Sequence, residues 1–515
     1  MGQVKLAVAL WFALSAGLVP AAGAAPLYDL RTGGLGLSGP ASSHPASFLY
    51  NPAALELNPR SILAVYVDGT LRLGHGTIQR SPIDTLTGRP ATASTPGVRT
   101  FDEQALLDLF PQPILAVSSS LASDSVTLSL SGHTAMTRRL DFLRDGDGRW
   151  FDGGEQGPTR YAGTDLTQYH LFGTVAASWR IADFLVVGAS TSLVWGSLEM
   201  GFARDAAIEG GTTRETGESV ALDDCGSGEP CNYESDDAAE AMRVAGTAWG
   251  IGFSVGVLVR PHPAVDVGLA YVSRVLGFDG REMVAEGDAW VRRSQASYRN
   301  ALADPSIERV DRDLSGRGSV TYALPDAINL GATWRLTRRW LANLQLRWIN
   351  YSVHDRLNIR LSGSMFRRQP QVPDRIEHHR GFQDVWAVQA GGAFRLRETL
   401  ELQSALMVET AAVPGESVTP VTVDSTKVDW LFGVSWDIGR LLTLRAGYTL
   451  TVMPPVEVDD SRFSATTMVS CVDAEYDIDL RDCKAAAEGR GLPTMAGRYT
   501  LFGHRIGTSL TLHVP

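Results

Sequence analysis

"AWGIGFSVGVLV", residues 248–259, alternates at every step. Trp249, Ile251, Phe253, Val255, Val257 and Val259 share one side, while Ala248, Gly250, Gly252, Ser254 and Gly256 take most of the other. Side chains two residues apart point the same way along a strand, so the stretch reads as a β-strand with one bulky apolar face and one face of small residues. The same letters contain G-x-S-x-G from Gly252 to Gly256. As a nucleophile elbow that motif needs a strand-to-helix turn exposing the serine. Here the serine sits mid-strand and another strand follows, so a catalytic Ser254 is rejected.

The pattern recurs along the chain. Leu442, Leu444, Ala446, Tyr448, Leu450 and Val452 oppose Thr443, Arg445, Gly447, Thr449 and Thr451. Leu63, Val65, Val67, Leu71 and Leu73 oppose Ala64, Tyr66, Asp68, Thr70 and Arg72, and Ile506, Leu510, Leu512 and Val514 oppose Arg505, Gly507, Ser509 and Thr511. A soluble sandwich can also alternate. These segments, however, commonly exceed the roughly 9–11 residues that a tilted strand needs to cross a bilayer, whereas soluble strands average about 5–6.

Fourteen strands are expected, near 61–73, 112–121, 124–135, 166–180, 184–202, 244–259, 264–279, 317–336, 340–354, 381–396, 399–411, 426–436, 441–454 and 497–514. Tight and long connections alternate between them. An even strand count with short periplasmic turns and long outer loops is the pattern of outer-membrane barrels. Trp249, Trp348, Trp386 and Tyr448 fall on apolar faces, where aromatic girdles belong. The expected fold is therefore all-β: a 14-stranded antiparallel transmembrane β-barrel over 61–515, with termini on the periplasmic side.

The N-terminus supports export. Lys5 precedes an apolar run from Leu6 to Val19 and the small-x-small site Ala22-Gly23-Ala24, so 1–25 reads as a signal peptide. Residues 26–60 then form a Gly/Pro/Ser-rich segment before the first strand. A barrel of this size leaves a lumen that must be lined or plugged, and 26–60 is expected inside it as an N-terminal hatch. Gly34, Gly36 and Gly39 match the dinucleotide fingerprint G-x-G-x-x-G. The fingerprint needs a preceding strand and a later acidic residue; 25–32 supplies no strand, and a nicotinamide cofactor is not expected outside the cytoplasm.

Composition agrees. The 515 residues are 44% hydrophobic with a net charge of -11, which argues against nucleic-acid binding. No 18-residue uncharged apolar run follows the signal, which argues against a helical membrane bundle. The cysteines form two local pairs, Cys225 with Cys231 and Cys471 with Cys483. With no C-x-x-C and no nearby histidine set, loop disulfides are expected rather than zinc. Asp145-Gly146-Asp147-Gly148 with Asp152 and Glu155 lacks the spacing of a calcium loop, so no metal and no cofactor is expected.

"GLGLSGPASSHPASFLYNPAAL" (34–55), with Asn51-Pro52-Ala53 preceded by Phe48 and Tyr50, resembles the hatch of the FadL-type hydrophobic-compound transporters. "GPTRYAG" (157–163), "ALPDAINLGATWRL" (323–336) with "WINYS" (348–352), and "MAGRYTLFGHRIGTSLTL" (495–512) extend the resemblance over nearly all of the mature chain. It implies a monomeric bacterial outer-membrane barrel for passive uptake of long-chain fatty acids or aromatic hydrocarbons. Ligand would pass a pocket beside the hatch, near Phe48, Tyr50, Asn51, Pro52 and Ala53, and exit sideways at a kink in the third strand. Gly132, which interrupts Val126, Leu128 and Leu130, is the candidate kink. The expected partners are the hydrophobic ligand and the surrounding outer-membrane lipid and lipopolysaccharide. The acidic loop 203–243 departs from a greasy capture surface. Two other functions are weighed: a non-transporting scaffold or receptor for secretion or surface assembly, favoured by a charged lumen, and an outer-membrane enzyme, for which no nucleophile and base assemble.

Overall fold

The computed structural model describes residues 37–58, 62–85, 90–94, 97–121, 125–141, 158–205, 239–294, 311–354, 356–367, 375–379, 381–459 and 495–514, with a few isolated positions between. The signal segment and the Asp145–Glu155 stretch lie outside them. So do the four cysteines expected to form loop disulfides, Cys225, Cys231, Cys471 and Cys483.

Fourteen staves close into one antiparallel barrel. They are β1 Leu63–Arg80, β2 Gln104–Ser119, β3 in two pieces (Val126–Thr134 and Arg138–Asp141), β4 Asp165–Ala182, β5 Leu185–Asp205 and β6 Ala239–His262. Next come β7 (Val265–Val272, Met283–Arg292), β8 (Asp313–Tyr322, Ala327–Arg335), β9 (Trp340–Ile349, Arg356–Ser362) and β10 (Arg375–His379, Val385–Arg397). The last four are β11 Leu400–Glu409, β12 Lys427–Ile438, β13 (Leu442–Val452, Val456–Val458) and β14 Gly497–Val514. Each pairs with its sequence neighbours, and β1 closes the ring on β14 from Leu63↔Val514 to Arg80↔Gly497. Closure removes the two free end strands that an open sheet would present to lipid.

Several staves run further toward the outer side than the alternation alone indicates. Above Leu73 the outward positions of β1 become His75, Thr77 and Gln79. Past the hydrocarbon the outward face no longer needs to be apolar, so the period-two signal fades while the ladder continues. Outward Trp249, Trp386 and Trp430 mark the upper girdle, and Trp179, Trp334, Trp340 and Trp436 the lower, each about half exposed. Apolar rings with polar tips suit the two interfaces of the bilayer.

Inside, the outer half of the lumen is filled by side chains and returning loops. Phe202, Val244, Val291, Leu314, Ile359 and Tyr322 form one cluster with Val413, Val418, Val421 and Val423 of the β11–β12 connection. That connection is fastened by a buried ion cluster: Lys427 Nζ lies 2.8 Å from Asp424 Oδ1 and 3.0 Å from Glu409 Oε1. Burial raises the Asp424 carboxyl above its ordinary range, against the pull of the Lys427 ammonium.

Candidate functional site

Residues 37–58 run through the lumen in two short 3-10 turns, Pro45–Leu49 and Pro52–Leu57. Proline opens each, where a missing N–H costs nothing, and a side chain caps each: His44 Nδ1 accepts from Ala46 N and Asn51 Oδ1 from Ala53 N, at 3.2 and 3.0 Å. Asn51 is fully buried. Its amide nitrogen donates to Pro40 O at 2.8 Å and to Val257 O of β6 at 3.0 Å. One side chain thus caps a turn, closes the bend of the segment and ties it to the wall.

The wall is shaped for this contact. A Cβ on Gly188 would lie 2.2 Å from Ala53 N, one on Gly256 2.1 Å from Asn51 Oδ1, and one on Gly268 2.0 Å from Pro40 O. Gly188 and Gly256 are cross-strand partners, as are Gly268 and Gly331. The glycine face of 248–259 is therefore a seat, and Gly256, the last residue of the apparent hydrolase motif, lies beneath Asn51. The period-two glycines carry that signal in the sequence; which staves bring them together is not visible in one strand.

The other pocket residues divide. Phe48 packs with Leu55, Tyr66, Ile114, Ala116 and Ala176, lining a cavity on the inner face of β1–β3 and β13–β14 with Pro45, Ser129 and Arg445. Tyr50 lines a second, more polar cavity with Gln345, Arg347, Gln389 and Met407. The Arg347 guanidinium lies 5.4 Å from the Tyr50 ring centroid. Pro52 and Ala53 lie on the glycine seat. Further anchors come from residues with no motif: Gln345 donates to Ser38 O at 2.7 Å, Asn329 to Tyr50 O at 3.2 Å, and Glu56 pairs with Arg180. Arg72, Gln345, Arg347 and Arg445 all face the lumen, and three of them are spent on holding backbone or hydroxyl groups.

β3 is interrupted, but not at Gly132. Gly132 pairs with Leu115 on one side and Gly173 on the other, its position facing lipid in an intact ladder. The break falls three residues on, at Ala135–Thr137, where Met136 takes a φ of 51°. That left-handed conformation is uncommon for a non-glycine residue. The segment turns inward and is buried, and lumenal groups replace its ladder partners: Arg72 donates to Thr137 O at 2.8 Å and the His170 ring bonds Met136 O at 3.0 Å. The β2–β3 ladder extends only from Ile114↔His133 to Ser119↔Leu128. Above it, 104–113 pairs only with β1 and Arg138–Asp141 only with β4 among the described residues. The wall is thus unzipped just above the Phe48 cluster, whose Ile114 makes the last β2–β3 pair with His133. A glycine stands out in a sequence because it lacks a side chain; the turn itself is built from ordinary residues held by distant partners.

Comparison with known proteins gives the family. Residues 13–481 match the model of the outer membrane protein transport protein family (OMPP1/FadL/TodX). A FadL homologue from Pseudomonas aeruginosa aligns with a TM-score of 0.68 at 14% identity, over 97% of this chain and 99% of that one. The Pseudomonas putida toluene transporter TodX gives 0.59 at 13% identity over 96% and 98%, and the Ralstonia pickettii toluene transporter TbuX 0.55 at 14% over 96% and 99%. A search of curated proteins by sequence finds no match. The chain belongs to the outer membrane protein transport family, and the architecture it shares with those structures is the fourteen-stave barrel.

Proposed function

We propose that the protein passes hydrophobic compounds through the bacterial outer membrane passively, and that it is not an enzyme. The observation that carries this reading is the break in β3 at Ala135–Thr137, just above the Phe48 cluster. An apolar solute gains nothing from a watery pore that empties into water. A lumenal apolar cavity with an unzipped wall beside it offers a route from outer loops to membrane without a water crossing. The segment 26–60 acts as the hatch, with Asn51 as its fastening. Outside the barrel wall, Cys225 joins Cys231 and Cys471 joins Cys483 as loop disulfides, a reading supported by the oxidising compartment and the short spacing of each pair. Two structural relatives are toluene transporters, which favours aromatic hydrocarbons alongside long-chain fatty acids as cargo. No observation favours the secretion scaffold: Arg72 and Arg445 are held by a carbonyl and a hydroxyl, and the Phe48 cavity is lined by Phe48, Leu55 and Ala116 beside the engaged Arg445.

The test is uptake by a strain lacking its own hydrophobe channels. Cells carrying the wild-type chain should accumulate labelled alkylbenzene or long-chain fatty acid above empty-vector cells. A variant lacking Ala135, Met136 and Thr137, which makes β3 continuous, should lose that gain while still assembling as a heat-modifiable barrel. Equal accumulation with vector and wild type would refute transport; full activity of the deletion would refute the side exit.

A further inference from the structure

The lower rim carries charge out of proportion to the chain. The whole sequence has a net charge of -11, yet 335–339, 395–401 and 437–440, around three periplasmic turns, hold six arginines against three carboxylates. These turns join β8–β9, β10–β11 and β12–β13, and so lie side by side. Arg335 is neutralised by Asp266, and Arg395 lies 3.8 Å from Glu401. Arg338, Arg339, Arg397 and Arg440 are exposed and, among the described residues, form no ion pair.

Two observations make this more than a solvated rim. The first is register. Trp340 pairs with Phe394, and Arg395 N donates to Arg339 O at 2.8 Å, so Arg339 and Arg395 stand directly opposite across neighbouring staves. Like charges in that position repel; Glu401 offsets Arg395, while Arg338, Arg339 and Arg397 have no carboxylate of their own among the described residues. The second is depth. Trp334, Trp340 and Trp436 mark the inner interface, and the arginines lie within about four residues of Trp340, its partner Phe394 and Trp436. At about 3.3 Å per residue and a tilt near 40°, that sets them about 3–10 Å beyond the rings. This is the plane of the inner-leaflet phosphates.

We propose that the turns of β8–β13 form a binding site for the headgroups of anionic phospholipids in the inner leaflet. Guanidinium forks suit phosphodiester oxygens, and the Trp and Phe rings, with Leu336, Leu396 and Leu441 exposed beside them, receive the acyl chains. The site holds one side of the barrel only. The β4–β5 turn carries Asp183, and Arg260 at the β6–β7 turn is paired with Asp266. β10 stands seven staves from the broken β3, so anionic lipid is gathered at the wall opposite the opening. The proposal rests on the outer-membrane reading of the fold and not on the identity of the cargo.

The full-length protein is reconstituted in bilayers holding phosphatidylglycerol and phosphatidylethanolamine at equal mole fraction, and co-purifying lipid is counted by native mass spectrometry. A surface arginine strengthens binding of an anionic lipid by about fivefold, so the wild type should retain phosphatidylglycerol at least about tenfold over phosphatidylethanolamine. Arg338→Gln, Arg339→Gln, Arg397→Gln and Arg440→Gln together should bring the ratio within about twofold, as should about 1 M salt on the wild type, where the screening length is about 3 Å. Should the fourfold variant not assemble, Arg338→Gln with Arg397→Gln and the salt series decide the matter. No lipid preference in the wild type, an unchanged preference in the variants, or binding of an acidic soluble protein in place of lipid would overturn the assignment.

Discussion

Asn51→Ala isolates the fastening of the lumenal segment. The substitution removes the cap on Pro52–Leu57, worth about 1 kcal/mol, and both hydrogen bonds from the amide nitrogen to Pro40 O and Val257 O. A buried carbonyl left without its donor costs about 1–3 kcal/mol. Val257 O belongs to a strand with other partners, so its share sits at the low end. The total is about 3–5 kcal/mol against the seated state, or roughly 10²- to 10⁴-fold more frequent opening, since each 1.36 kcal/mol is tenfold. Hydrogen–deuterium exchange on the protein in lipid nanodiscs reads this directly from peptides within 45–57, because local opening sets amide exchange. Asn51→Ser keeps a capping oxygen but loses both donors, and should exchange about fivefold more slowly than Asn51→Ala. Barrel peptides such as those of β5 and β12 should not change. If 45–57 stays as protected in Asn51→Ala as in the wild type, the side chain does not hold the segment and the reasoning from its three bonds is wrong.

Other substitutions probe the same framework. Gly188→Val places a Cβ against the Ala53 backbone and should expose 45–57 to exchange at least as much as Asn51→Ala, with heat-modifiable assembly retained. Met136→Gly relieves a left-handed φ but deletes a side chain buried in the lumenal cluster. The loss of a buried methionine costs about 2–5 kcal/mol against about 1 kcal/mol of relieved strain, so the urea midpoint should fall at unchanged slope. Lys427→Met strands Asp424 and Glu409 beneath the β11–β12 connection; losing one partner of a buried ion cluster costs about 3–5 kcal/mol, and limited proteolysis should begin to cut within 411–424. Thiol labelling of unfolded, unreduced protein should find no free thiol if Cys225 is bonded to Cys231 and Cys471 to Cys483; four labels would refute that pairing.

What the residues decided by themselves was the barrel. A bilayer imposes one rule on every stave, apolar outward at every second position, so the fold is written locally in stretches such as 248–259 and 442–452, and the lumenal Asn51-Pro52-Ala53 turn is legible because caps and prolines act within a few residues. What only tertiary structure decided was everything facing inward. Lumenal side chains answer to partners from across the barrel: Gly256 is small because Asn51 arrives from far up the chain, and β3 breaks at Met136 rather than at Gly132 because Arg72 and His170 hold its freed carbonyls. The rim is similar, since three arginine-bearing turns that look unrelated in the chain become one surface only when the ring closes. Lipid is a uniform solvent and leaves a periodic mark on the sequence, whereas an interior contact is particular to its pair and leaves none.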